Sequence, residues 1–309
     1  MSLGYRRPLY LLPFDHRHSY VTGMFKFEAP LIQPEHDRVA NSKEIIYEGF
    51  KQALAGGVAK EHAGILVDEE FGARILRDAT KNGYVTALSI EKSGSDEFQF
   101  EYGEAFAQHI EAFDPTFAKV LVRYNPEDDA ALNRRQRTRL KRLSDYCQTA
   151  GQLFMFELLV PATKAQMDHV QANKDAYDLR IRPALMVRTL HDLQDAGIEP
   201  DVWKVEGLDR REDCERVVET ARRAGRRDVG CIVLGRGSDE YKVVGWLEIA
   251  ASVPGFIGFA VGRTTFWEAV ADYKARKATR QEAASRIAER YRAWLAIFER
   301  AHPLLTGAV

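Results

Sequence analysis

The sequence lacks a surplus of either charge, with 44 Lys and Arg against 45 Asp and Glu and a formal net charge of -1. Without a basic excess there is no electrostatic footprint for duplex nucleic acid and no polybasic membrane surface. Cysteine is scarce. Cys147, Cys214 and Cys231 show neither CxxC nor finger spacing, which reads as reduced structural thiols and an expected cytoplasmic location. No apolar run approaches the ~20 residues that span a bilayer. The early run 9–14 is too short for a signal peptide and meets Asp15-His16-Arg17 at once. Gly/Ser-rich and Pro-rich linkers, low-complexity segments and short repeats are also missing. Nucleic-acid binding and membrane association are therefore not expected.

What the sequence has is an ordinary globular balance, 45% hydrophobic and 29% charged residues over 309 positions. Short apolar runs alternate with longer amphipathic stretches. The runs are 9–14, 64–68, 85–90, 118–122, 153–159, 202–205, 231–234 and 256–261. Continuous apolar runs of this length suit parallel strands covered on both faces. Helices are expected at 41–54, 101–112, 127–150, 163–173, 209–224 and 239–251, with a closing one at about 280–301. In that last helix Ala284, Ile287, Ala288, Tyr291, Trp294 and Leu295 make an apolar stripe that reads as packing. Eight strands alternating with helices predict an α/β fold, a (β/α)8 TIM barrel in one domain. The barrel is expected over about 8–272 and the extra C-terminal helix over 277–301 of a single domain 1–309. A doubly wound sheet would want a Gly-rich turn after its first strand, and Phe14 runs directly into Asp15.

Barrel chemistry sits at the C-terminal strand ends. Lys204 stands inside the apolar run Asp201-Val-Trp-Lys-Val-Glu206. Alternation puts Val202, Lys204 and Glu206 on one face, expected to look into the barrel, with Trp203 under the helices. A sheltered lysine made neutral can attack a carbonyl and form a Schiff base. The competing reading is a structural ion pair of Lys204 with Glu206 or Glu157. Lys119 shares a strand face with Leu121 and Arg123, and is either a second cation, a proton carrier or a solvated strand-start lysine. Glu157, isolated in the run 153–159, suits general acid/base work or an ion pair.

Gly262-Arg263-Thr264 follows strand eight and opens a helix, and Gly235-Arg236-Gly237 follows strand seven. Backbone amides, a helix start and a guanidinium together can cradle phosphate, where barrels commonly hold it. Asp15, His16, His18 and His36 do not form the three-ligand set a catalytic zinc wants. No metal and no cofactor are expected.

The set Asp15, Lys119, Glu157, Lys204 and Arg263 on strands one, four, five, six and eight resembles class I aldolases of the fructose-bisphosphate and tagatose-bisphosphate (LacD-like) type. The run Val-Leu-Gly-Arg-Gly-Ser at 233–238 is similar to that family's phosphate turn, with Gly235-Arg236 where the family has Ser-Gly. LYLLPFDHR at 9–17, Arg182-Pro183, PDVWKVE at 200–206, VLG at 233–235 and GFAVGRTTF at 258–266 resemble the domain fused behind bacterial 5-dehydro-2-deoxygluconokinases, here in stand-alone form.

The resemblance implies a Schiff-base aldolase of inositol catabolism that cleaves 6-phospho-5-dehydro-2-deoxygluconate to dihydroxyacetone phosphate and malonate semialdehyde. It implies Lys204 as the Schiff-base lysine, Glu157, Lys119 and Asp15 as its catalytic companions, and Gly235, Arg236, Gly262 and Arg263 around the phosphate. The substrate carboxylate would meet Arg17, Arg123 or Arg236. Alternatives are another ketose phosphate, such as tagatose bisphosphate or sulfofructose phosphate, or a barrel that senses sugar phosphates without catalysis. The expected partner is a small phosphorylated sugar or sugar acid, and self-association is left open.

Overall fold

The computed structural model describes residues 3–302. Eight parallel strands close into a barrel in sequence order. They are β1 (Leu9–Pro13), β2 (Ala63–Val67), β3 (Val85–Ser89), β4 (Phe117–Arg123), β5 (Leu153–Leu159), β6 (Val202–Glu206), β7 (Gly230–Leu234) and β8 (Phe256–Ala260). Each lies within a residue or two of an apolar run read from the sequence. Closure pairs Leu9 with Gly258 and Leu11 with Ala260. A Cβ on residue 258 would stand 1.8 Å from the Leu9 carbonyl oxygen, so only glycine lets β8 approach β1 this closely.

The helices are α1 (His18–Tyr20), α2 (Gln33–Ala55), α3 (Glu69–Lys81), α4 (Phe106–Phe113), α5 (Ala130–Ala150), α6 (Lys164–His169), α7 (Lys174–Arg180), α8 (Arg182–Asp195), α9 (Arg211–Ala221), α10 (Glu240–Ala251), α11 (Arg263–Lys274) and α12 (Arg280–Ala301). Three sequence expectations are corrected. Helix α2 starts eight residues before Asn41, with Pro34 in its first turn and the Glu35 carboxylate accepting from the Ile32 amide. The stretch 163–173 breaks at His169, and α7 starts afresh after Asn173, whose side chain accepts from Ala176 N–H. Helices α3 and α8 occupy stretches given no helix. The acids after β2 open α3, where Asp68 caps the Phe71 amide at 2.8 Å and Glu69 and Glu70 lie at the positive end of the helix dipole.

Alternation along the strands separates two cores. Leu9, Leu11, Leu66, Ala87, Phe117, Met155, Val202 and Ile232 fill the barrel interior. Trp203, Val205, Phe154, Phe156 and Phe259 face outward and pack under the helices. Trp203 is wholly buried, with its ring 4.9 Å from that of Phe156. Helix α12 packs along α2 with Ala284, Ile287, Ala288, Tyr291, Trp294 and Leu295 all buried. Tyr291 donates to the Tyr10 carbonyl at 2.7 Å, and Trp294 donates to Thr265 Oγ1 at 3.0 Å, so the helix is tied to β1 and α11. The three cysteines are free and buried, and burial pushes each thiol up to about 12. No described helix is long and apolar enough to cross a membrane.

Candidate active site

A cavity of about 380 Å³ opens at the C-terminal strand ends. Its floor is ionic. Lys204, on the inward face of β6, sits beside Glu157 of β5 in register, and Lys204 Nζ is 2.8 Å from Glu157 Oε2. The same oxygen lies 2.8 Å from Lys119 Nζ. Lys119 also donates to Asp15 Oδ2 at 2.8 Å and to Glu91 Oε1 at 3.0 Å. Ser89 donates its hydroxyl to the same Asp15 oxygen at 2.9 Å. Four expected catalytic residues, Asp15, Lys119, Glu157 and Lys204, are thus in one contact network, and all are buried.

The electrostatics follow from this packing. Lys119 donates hydrogen bonds to Asp15 and Glu91 and stands in ion-pair contact with Glu157, whose Oε2 has no hydrogen-bond partner among the described residues. Burial works against the Lys119 charge, but Asp15, Glu157 and Glu91 outweigh it and raise its proton affinity. Lys119 is therefore a fixed cation. Burial pushes the Asp15 carboxyl up, yet Lys119, Lys204 and His16 hold it well below the usual carboxylate range. Glu157 is lowered in the same way, by Lys119 and Lys204 against burial. At Glu91 burial wins over Lys119 and Arg17, and its proton affinity rises. His16 is enclosed against Phe266, and burial lowers it to about 4, so it is neutral at pH 7.

The arginines differ sharply in what they hold. Arg17 lines the cavity, but it is buried and occupied, Nη1 on Glu101 Oε2 at 2.6 Å and Nη2 on the Glu91 carbonyl at 2.6 Å. It braces the loop after β3, which turns back through a bridge between Glu91 and Phe100. Arg236 is occupied too, by Asp178 Oδ2 at 2.7 Å and Glu206 Oε1 at 3.0 Å. Arg182, fully buried, holds the other Asp178 oxygen at 2.9 Å. Among the described residues Arg123 and Arg263 line the cavity with no carboxylate in ion-pair contact. Arg123 Nη1 donates to the Ser95 carbonyl at 3.2 Å. Arg263 Nη2 donates to Ser19 Oγ at 2.7 Å, and its Nε is buried without a hydrogen-bond partner.

Arg263 opens α11, whose N-cap Gly262 provides no side-chain cap. Thr265 N–H already donates to the Gly262 carbonyl at 2.8 Å, which leaves the Arg263 and Thr264 amides as the ones at this helix start available to an anion. The turn after β7 faces it, with Arg236 and Gly237 both at positive φ (54° and 69°), a conformation that glycine adopts freely. Gly235, Arg236, Gly237, Gly262 and Arg263 all border the cavity. Because β4 and β8 stand opposite each other in the closed order, Arg123 and Arg263 lie across the mouth, with Lys204 of β6 between them in strand order.

The sequence places Glu91 at the end of strand three but gives it no role, and it passes over Ser89. Both continue the inward alternation of Val85 and Ala87 along β3, a signal as plain as the one that marks Lys204. Among the described residues no three His, Cys, Asp or Glu side chains are grouped to hold a metal ion.

Solved structures share the fold at low identity. The fructose-bisphosphate aldolase of Plasmodium falciparum is 14% identical with a TM-score of 0.64, over 95% of this chain and 91% of that one. The fructose-bisphosphate aldolase from Slackia heliotrinireducens is 14% identical with a TM-score of 0.54, over 98% and 88%. The YdjI aldolase from Escherichia coli K12 is 11% identical with a TM-score of 0.53, over 94% and 91%. No curated protein matches. The family described as "Uncharacterized protein conserved in bacteria (DUF2090)" matches residues 5–302, and the chain belongs to it.

Proposed function

We propose that this protein is a class I aldolase that cleaves a phosphorylated keto-sugar acid, best fitted by 6-phospho-5-dehydro-2-deoxygluconate, to dihydroxyacetone phosphate and malonate semialdehyde. One observation carries the reading. Lys204 Nζ stands at the floor of the cavity, 2.8 Å from a carboxylate oxygen that also touches the fixed cation Lys119. The fold shared with two fructose-bisphosphate aldolases and the YdjI aldolase supports it. Kinship with the domain fused behind 5-dehydro-2-deoxygluconokinases, and with it a role in inositol catabolism, is part of this proposal.

In this mechanism Lys204 gives a proton to Glu157 and attacks the C5 ketone. After attack the nitrogen gives up a second proton, and Glu157 passes both in turn to the carbinolamine oxygen, which leaves as water. The iminium then takes the electrons of the C3–C4 bond as the C3 hydroxyl gives its proton to the carboxylate cluster, and C4 of the resulting enamine takes a proton back. Lys119 stays protonated and, with Asp15, stabilises charge and orients hydroxyls. The Arg263 side chain, the Arg263 and Thr264 amides at the start of α11 and the 235–237 turn hold the 6-phosphate. Arg123 meets the substrate carboxylate, since Arg17 and Arg236 already serve carboxylates of the protein itself. Anchoring both ends sets the ketone against the amine.

Borohydride reduction in the presence of dihydroxyacetone phosphate, followed by peptide mapping, tests the reading. The expected adduct is on the peptide containing Lys204, and Lys204→Met abolishes it. No adduct with any of several phosphoketoses means a sensing barrel instead. A substrate panel including tagatose bisphosphate and sulfofructose phosphate decides the ketose.

A further inference from the structure

The buried charges form a chain of contacts that ends on a residue with no role in the mechanism above. Lys204 Nζ reaches Glu157 Oε2 at 2.8 Å, that oxygen reaches Lys119 Nζ at 2.8 Å, and Lys119 donates to Glu91 Oε1 at 3.0 Å. Glu91 is buried on the cavity wall, and its Oε2 has no hydrogen-bond partner among the described residues. Its charged surroundings are Lys119, Arg17 at 3.7 Å, Asp15 and, beyond Arg17, Glu101. Asp15 branches from the same lysine, but its Oδ2 already accepts from both Lys119 and Ser89.

We propose that Glu91 is the proton store of the site and exchanges a proton with Lys204 through Glu157 and Lys119. The inference rests on the aldolase reading. The Lys204 ammonium gives a proton to Glu157. Glu157 passes a proton to Lys119 as Lys119 passes one of its own to Glu91. The net change is one proton moved from Lys204 to Glu91, with no electron transfer and no co-reactant.

The free amine then attacks, and the carbonyl electron pair moves onto oxygen. The two protons lost by nitrogen return to that oxygen, which leaves as water, and the store is empty when the iminium stands. During cleavage it fills again. The C3 hydroxyl loses its proton to the cluster as the C3–C4 electrons move to the iminium nitrogen, and the stored proton goes back to C4 of the enamine. Two features suit Glu91 to this role. Among the described residues its ion-pair contacts are with Lys119 and Arg17, so it gains a proton without breaking the Lys204–Glu157 contact. Burial also favours its neutral form, where Asp15 and Glu157 are held ionised.

Glu91→Gln keeps the shape and removes the store. The expected outcome is a full yield of borohydride-stable Lys204 adduct with dihydroxyacetone phosphate. For the keto-acid substrate kcat falls about 10- to 100-fold, within the range general acid/base groups supply, with KM changed less than about twofold. Glu91→Asp, which keeps a titratable carboxyl, recovers most of the lost kcat. A measurement on the unaltered protein is independent of how the variants fold. On forming the enamine with dihydroxyacetone phosphate, its infrared difference spectrum gains a protonated-carboxyl band. Absence of that band, or a Glu91→Gln protein whose kcat matches the wild type, overturns the store and leaves the aldolase reading intact. A wild-type protein that forms no adduct on Lys204 overturns both.

Discussion

Lys119→Met asks how much the fold depends on one buried ammonium. The side chain is wholly buried and its Nζ meets Asp15 at 2.8 Å, Glu91 at 3.0 Å and Glu157 at 2.8 Å. Methionine fills similar space and leaves three carboxylates without their common counter-ion. Removing one partner of a buried pair costs about 3–5 kcal/mol; Glu157 keeps Lys204 and Glu91 keeps Arg17 at 3.7 Å, but three acids share this one cation, so the expected loss is at the top, about 5 kcal/mol. Unfolding 309 residues carries an entropy of about 0.65 kcal/mol/K, so Tm should fall by about 8 °C.

The loss depends on pH with a definite sign. In the wild type Asp15 and Glu157 are lowered, Lys119 and Lys204 outweighing burial at both. Their contribution is complete above the unfolded-state values of about 4 and is lost as pH falls through the lowered folded values. In the variant burial has less opposition, so the carboxyls bind protons when folded that the unfolded chain releases. Variant stability therefore falls as pH rises above about 4. Glu91, already raised, adds that slope to both proteins. The gap between them should widen from pH 5 to pH 8, as read by urea unfolding with tryptophan fluorescence. A variant within about 1 kcal/mol of the wild type at pH 8, or a gap that ignores pH, refutes the reasoning, because either result means that the three acids do not depend on this cation.

Three further outcomes are expected. Arg263→Gln should raise KM for phosphorylated substrates by about 10- to 100-fold, the worth of hydrogen bonds to a charged group, while Arg236→Gln, whose guanidinium already serves Asp178 and Glu206, should change KM less than about threefold. Steady-state kinetics on both variants checks this, and equal effects would contradict the distinction. Trp203→Ala should cost about 3–5 kcal/mol in urea unfolding, since the ring is wholly buried against Phe156 on the outer face of β6. Gly258→Ala should prevent soluble expression or lower Tm sharply, because the new methyl would stand 1.8 Å from the Leu9 carbonyl where the barrel closes.

The barrel was legible because its strands are buried on both faces. Each then appears as an unbroken apolar run, and an inward-pointing charge stands out against it, as Lys204 does between Val202 and Val205. Helices that also carry strand-end chemistry were harder to see. The acids 68–70 sit at the end of β2, where a barrel keeps its reactive groups, and equally at the start of α3, where an N-terminus favours negative charge. Composition does not choose between these uses. The Phe71 amide does, by taking the Asp68 side chain as its acceptor.

The occupancy of the arginines was not legible at all, for a reason of distance along the chain. Arg17 is satisfied by Glu101, 84 residues away, and Arg236 by Asp178, 58 residues away. Local pattern predicts where a guanidinium points. It does not predict whether the opposite wall supplies a carboxylate, because that wall is assembled only when the barrel closes. Two arginines near the mouth therefore look alike in sequence and differ in chemistry, since one whose charge is already matched by protein has little attraction left for a substrate anion. Four arginines line this cavity among the described residues, and closure leaves Arg123 and Arg263, on opposite sides of it, with no carboxylate of those residues in ion-pair contact. A substrate with one anionic group fits that pair less well than one with an anion at each end.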